Sequence, residues 1–141
     1  MNAILLDNYL KIYKMKATAP IYQQHEENTS WTNSLKFYKD EIILLRERLA
    51  EIAFKNSNKV ILAEVEHYQN QFIIQHNRID EIMHAIKLNE NALIKEIKSN
   101  PIAVDHRKVA AHTNEVEQMK TFEKIFGDLR EKYNRFSSKW M

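Results

Sequence analysis

The chain has 141 residues, of which 44% are hydrophobic and 28% are charged, with 1 Gly, 2 Pro and no Cys. A β protein of this length would need many turn residues, so the composition favours long helices in one domain and excludes disulfides and thiol chemistry. The net charge of +2 comes from 21 basic and 19 acidic residues. Both signs are interspersed along the chain, which argues against a nucleic-acid surface.

The N-terminal segment, residues 1–28, has the weakest pattern. Residues 1–16 have apolar residues at helical spacing, and we predict a loosely ordered segment or a short amphipathic helix there. Peripheral membrane contact by residues 1–16 is an alternative that we favour less. Pro20 disfavours helix at Ala19, and the polar residues 21–30 indicate a linker. No apolar run approaches the roughly 18 residues of an integral membrane segment, and the order of a signal peptide is absent, so we predict a cytoplasmic protein.

The first long helix is predicted over about residues 30–55, with Thr29 or Ser30 as its N-cap. Apolar residues recur at alternating spacings of four and three, which is typical of coiled-coil-like packing. This apolar stripe consists of Trp31, Leu35, Tyr38, Ile42, Leu45, Leu49 and Ile52. The following connection, residues 56–58, is so short that the next helix should run antiparallel.

The second helix is predicted over residues 58–98, a stretch without Gly or Pro. Its apolar stripe is interrupted at Gln75 and His76, and polar residues at such positions often set the register of packed helices. A third helix is predicted over about residues 102–138, continuing unbroken through Gly127. His112 lies in its stripe and is a third candidate for setting the register.

The predicted fold class is therefore all-α, an antiparallel bundle of three long helices with a bundle domain at residues 29–141. Pairing helices about their short turns places residue i of the first helix beside residue 114 − i of the second. The same procedure places residue j of the second helix beside residue 200 − j of the third. Ile42, Phe72 and Leu129 then share one layer, and Tyr38 approaches Phe126.

This pairing leaves part of the bundle uncovered. The first helix reaches only residues 59–84 of the second, so residues 85–98 and residues 102 to about 115 of the third helix have no third helix beside them. Exposed apolar patches usually mark interfaces, so we predict an interaction surface there. Its residues are Ile86, Leu93, Ile97, Ile102 and Val109. Residues 1–16, a second copy of the chain or a different protein could cover it, and we favour a homo-oligomer.

Two pairs on the second helix, Glu64 with His67 and Glu81 with His84, have the Glu-x-x-His spacing that resembles the metal sites of ferritin- and hemerythrin-like bundles. They lie 17 residues apart on one helix, about 25 Å, and cannot share a metal pair within one chain. We therefore predict no metal and no cofactor. A hemerythrin- or ferritin-like metal-binding bundle is the alternative.

No Gly-rich phosphate loop and no nucleophile elbow occurs in the sequence. We therefore predict a non-enzymatic helical-bundle protein that acts as a structural or protein–protein interaction module. It should self-associate through the apolar surface near residues 86–109.

Overall fold

The computed structural model describes residues 3–8, 20–99 and 109–141, with side chains described for 3–8, 23–99 and 114–141. These residues form a short helical segment α1 (3–8) and three long helices. The long helices are α2 (Pro20–Lys55), α3 (Lys59–Ser99) and α4 (Val109–Trp140). Each long helix packs against the other two, and no strand occurs in the described ranges. The all-α class is thereby confirmed.

Helix α2 begins at Pro20, ten residues before the predicted start near Ser30. A proline suits the first turn of a helix, where its missing N–H would have no partner in any case. The hydroxyl groups of Thr29 and Thr32 donate to backbone carbonyls four residues earlier, at distances of 3.1 and 2.8 Å. These hydroxyls therefore lie inside the helix and do not cap it. The prediction of a linker over residues 21–30 was wrong, because these residues belong to α2.

The other helix boundaries agree better with the sequence pattern. Helix α3 covers Lys59–Ser99, within one residue of the prediction at each end. At its start, the Oδ1 atom of Asn58 accepts a hydrogen bond from the N–H of Val60 at 2.8 Å, which satisfies one of the free first-turn amides. Helix α4 continues unbroken through Gly127, as predicted. Its predicted first residues, 102–108, lie outside the described part of the chain.

The core consists of the apolar stripes of the three long helices. The core cluster contains Ile42, Phe72 and Leu129, and their arrangement in one layer stays a prediction. The predicted approach of Tyr38 to Phe126 is confirmed by a distance of 5.2 Å between ring centroids. The other buried members are Leu35, Leu45, Leu49, Ile52, Ile61, Ile79, Ile82, Ile86, Met119, Phe122, Tyr133 and Phe136.

Polar pairs between α2 and α3 follow a consistent order. Gln24 bonds Asn89, Lys39 bonds Asp80 at 2.9 Å, and Arg46 bonds Gln69 at 3.4 Å. As the residue number on α2 rises from 24 to 46, the number of its partner on α3 falls from 89 to 69. One end of the helix pair contains the connection at residues 56–58, and we call it the turn end. The opposite end contains His25, and we call it the His25 end.

Candidate interaction surface

An open groove lies between α2 and α3 at the turn end, and we call it the α2–α3 groove. It has a volume of about 560 Å³. Most of its walls are aliphatic, and four polar side chains lie among them. The lining residues are Ile43, Arg46, Glu47, Leu49, Ala50, Ala53, Leu62, Val65, Glu66 and Gln69.

The helical repeat explains how the sequence produces this groove. Leu49 belongs to the buried stripe of α2, and Ala50 and Ala53 occupy the neighbouring positions toward α3. Because alanine side chains are short, they leave the space between the two helices unfilled. Leu62 and Val65 form the α3 wall and are only half-buried. The result is a concave apolar surface on two rigid helices.

Larger apolar side chains extend this surface along both helices. The side chain of Ile43 is 50% exposed, and Phe54 is 93% exposed four residues beyond Ala50. On α3, Ile73 is 39% exposed and lies one helical turn beyond Gln69. Exposed apolar side chains therefore occur within one helical turn of the groove lining on both helices.

A polar cluster occupies the His25 end, where the sequence suggested an uncovered apolar stripe. Gln24 and Asn28 are both buried, and both donate to the Oδ1 atom of Asn89 at 3.0 Å. The Nδ2 group of Asn28 also lies 3.3 Å from the carboxylate of Glu90. These contacts fasten the first turns of α2 to the last third of α3.

His25 is the titratable centre of this polar cluster. Its Nδ1 atom lies 2.7 Å from the carboxylate of Glu90, and its Nε2 atom lies 3.9 Å from that of Asp7 in α1. The hydrogen bond to Glu90 raises the pKa of His25 above its ordinary value, although burial acts in the opposite direction. Protonated His25 therefore links α1 and α3 to α2.

A third polar contact joins α2 to α4. Arg130 donates two hydrogen bonds to the two carboxylate oxygens of Glu41, each at 2.7 Å. Its guanidinium also lies 4.9 Å from the ring centre of Phe126 and 5.7 Å from that of Tyr38. The Tyr38 hydroxyl donates to Glu123 at 2.9 Å. These contacts hold α4 on the side of α2 away from the α2–α3 groove.

The structure corrects the expectation that residues 85–98 lack a covering helix. Ile86 is 3% exposed, and Leu93 and Ile97 are fully buried. The extra ten residues of α2 reach this part of α3, as the contacts of Asn89 and Glu90 show. In α1, Leu6 is also buried. These three apolar residues are therefore covered within the chain and do not form an exposed stripe.

The other two residues of that predicted surface are Ile102 and Val109. Ile102 lies outside the described residues. Val109 begins α4, but its side chain is outside the described set, and the same holds for His112. Of the other residues predicted to set the register, Gln75 is buried in the stripe of α3. His76 is half-buried at its edge, 3.7 Å from Asp80. Their effect on register stays a prediction.

The two Glu-x-x-His pairs lie on the outer surface of α3. Glu64, His67, Glu81 and His84 are all exposed. Within ranges 3–8, 20–99 and 109–141, no three potential ligand residues come close enough to hold a metal ion. The absence of a metal or cofactor in the functional protein stays a prediction.

Two buried residues of the polar cluster, Gln24 and Asn28, were missed by the sequence reading. A signal was present, because positions 24, 28, 31, 35 and 38 continue the alternating spacing of four and three. The pattern was hidden because two of these positions are polar and were not counted as part of an apolar stripe. A register search that admits Asn and Gln would have found them.

Comparison with protein-family models, with curated proteins and with solved structures finds no match. The fold and its surfaces define the class, an all-α protein whose long helices carry an open apolar groove. In the part of the chain that the structure describes, no helix combines the length and apolar character needed to cross a membrane.

Proposed function

We propose that this chain is a non-enzymatic protein–protein interaction module that acts by self-association. The observation that supports this proposal is the α2–α3 groove, with its extension to the exposed side chains of Ile43, Phe54 and Ile73. Exposed apolar side chains gathered around a groove favour a binding site, because covering them removes apolar area from solvent.

The proposed scaffold is an antiparallel, coiled-coil-like arrangement of three long helices. The alternating stripe of α2 supports this arrangement, and so does the opposite order of paired residues on α2 and α3. Long helices packed in this way present a rigid surface, so little conformational entropy is lost when a partner binds. We further propose a cytoplasmic location, which agrees with the absence of Cys from the sequence.

The proposed binding surface differs from the one that the sequence suggested. Ile86, Leu93 and Ile97 are buried inside the chain, so they contribute no exposed apolar area. The proposed surface is instead the α2–α3 groove at the turn end, where small side chains leave space between the two helices. We therefore propose that the chain self-associates through the α2–α3 groove.

Light scattering coupled to size-exclusion chromatography, and sedimentation equilibrium over a wide concentration range, test the proposal. We expect a reversible homo-oligomer whose fraction rises with concentration. A chain that stays monomeric at every concentration would overturn the proposal. Stoichiometric iron, manganese or zinc in the purified protein would contradict it as well and would support a metal-binding bundle.

A further inference from the structure

The α2–α3 groove has a charge pattern that matches itself under a two-fold rotation. Arg46 and Glu47 are adjacent on α2, midway between Ile43 and Ala50. In a two-fold interface, if residue i of one copy contacts residue j of the other, then residue j of the first copy contacts residue i of the second. Complementary charges across such an interface therefore require both signs on the same surface. An adjacent Arg–Glu pair meets this requirement when the axis passes between the two residues.

The two internal segments outside the described ranges, residues 9–19 and 100–108, are too short to reach the groove. Residues 9–19 connect Asp7 and Pro20, which both lie at the His25 end, and eleven residues span about 40 Å when extended. Along α2, Ile43 is 18 residues from His25, so a path out and back requires about 54 Å. Residues 100–108 span about 35 Å, whereas Ser99 lies 26 residues, about 39 Å, from Ile73. Neither of these two segments therefore reaches the groove.

We propose that a second copy of this chain occupies the groove, with the two α2 helices antiparallel about an axis between Arg46 and Glu47. This inference rests on the proposed self-association and specifies its surface and register. Residue i of one copy then lies opposite residue 93 − i of the other. Each Arg46 faces Glu47 of the second copy, and the two contacts are equivalent.

The apolar residues match in the same register. Ile43 lies opposite Ala50 of the second copy, so a large side chain meets a small one at two equivalent places. The pairing of large and small side chains lets the helix axes approach closely. Phe54 lies opposite Lys39, whose aliphatic stem can cover an aromatic ring that is 93% exposed in the single chain.

The charged residues at the axis are available for these contacts. Among the described residues, Arg46 makes one hydrogen bond, a long one of 3.4 Å to Gln69. Glu47 has no hydrogen bond or ion pair among the residues that the structure describes. A different protein would need to supply a matching Glu–Arg pair at the same spacing, whereas a second copy has this pair already.

Charge reversal tests the register directly. In the proposed dimer, Arg46→Glu places like charges across the axis twice, and so does Glu47→Arg. We expect each single variant to raise the dimer dissociation constant by about tenfold or more, because facing like charges repel. The double variant, Arg46→Glu with Glu47→Arg, restores opposite charges at both contacts. It should return the dissociation constant close to that of the unchanged protein.

Two further variants separate the groove from the rest of the surface. Ile43→Glu places a charge in the apolar contact and should weaken the dimer. Leu44→Glu is the matched control, because Leu44 is 56% exposed, close to the 50% of Ile43, but lies outside the groove. It should leave the dissociation constant unchanged. Circular dichroism of every variant verifies that the helical content is preserved.

The measurement is sedimentation equilibrium on the full chain. Loss of the dimer in both single charge variants with recovery in the double variant supports the inference. If the single variants leave the dissociation constant unchanged, or if the double variant dimerises as weakly as the single variants, the inference is overturned while self-association itself stands. An unchanged protein that is monomeric throughout overturns both the inference and the proposed function.

Discussion

The contact between Glu41 and Arg130 allows a quantitative test of how α4 is held on α2. Two hydrogen bonds of 2.7 Å join the two charged groups, and their side chains are 22% and 34% exposed. A fully exposed ion pair contributes about 0.2–1 kcal/mol, because water screens it. Paired charge-assisted bonds in a partly shielded site are stronger, so we expect a coupling free energy of about 1–2 kcal/mol.

A double-mutant cycle isolates this coupling. The variants are Glu41→Gln, Arg130→Met and both together, with the free energy of unfolding measured by urea denaturation. Glutamine removes the charge and keeps the shape of the side chain. Methionine keeps an apolar stem against the rings of Tyr38 and Phe126, so the loss of packing is small.

A second cycle on Glu131 and Arg135 is the control. These residues form the same kind of pair at 3.3 Å on α4, but both side chains are 69% exposed. We expect a coupling of about 0.5 kcal/mol or less there, decreasing with added salt. If the coupling of Glu41 and Arg130 is no larger than that of the control pair, the reasoning from burial and bidentate geometry is refuted.

Three further predictions concern single positions. Because the hydrogen bond to Glu90 raises the pKa of folded His25 above 6.5, its stabilising contribution is fully present below pH 6.5. It should disappear as the pH rises through the folded pKa, whereas His25→Gln should show no such loss between pH 5 and 8 in urea titrations. Gly127→Ala should raise the free energy of unfolding by about 0.5–1 kcal/mol, since an added Cβ meets no atom within 4 Å; a decrease would show that the position is crowded. Tyr133→Phe should lower it by about 1 kcal/mol, because the buried hydroxyl donates to the Leu45 carbonyl at 3.2 Å; no change in thermal melting would show that this bond is energetically neutral.

The apolar stripes were predictable because their spacing repeats along the chain. Ile42 and Phe72 are buried in the core and Tyr38 packs against it, and the start of α3 follows from the Asn58 cap and the turn before it. Hydrophobic periodicity is a local property of the sequence, so it can be read without knowing which helices pack against each other.

The His25 end could not be predicted in the same way. The side-chain amide nitrogen of Asn28 is buried with partners that accept its hydrogen bonds, and these partners, Asn89 and Glu90, are more than sixty positions away. The error had a direct consequence, since a first helix that starts too late leaves Ile86 apparently uncovered. The predicted interaction surface therefore included three residues, Ile86, Leu93 and Ile97, that are buried in the described bundle.

The sequence by itself determined that this chain is helical, because period, composition and the scarcity of Gly and Pro all act locally. Only the tertiary structure decided which apolar residues stay exposed. Leu93 and Ile43 both appear apolar in the sequence, yet the first is fully buried and the second is 50% exposed. The difference depends on which helix passes each position and on the size of the facing side chains. Exposure, and with it the location of a binding surface, is a property of the packed helices.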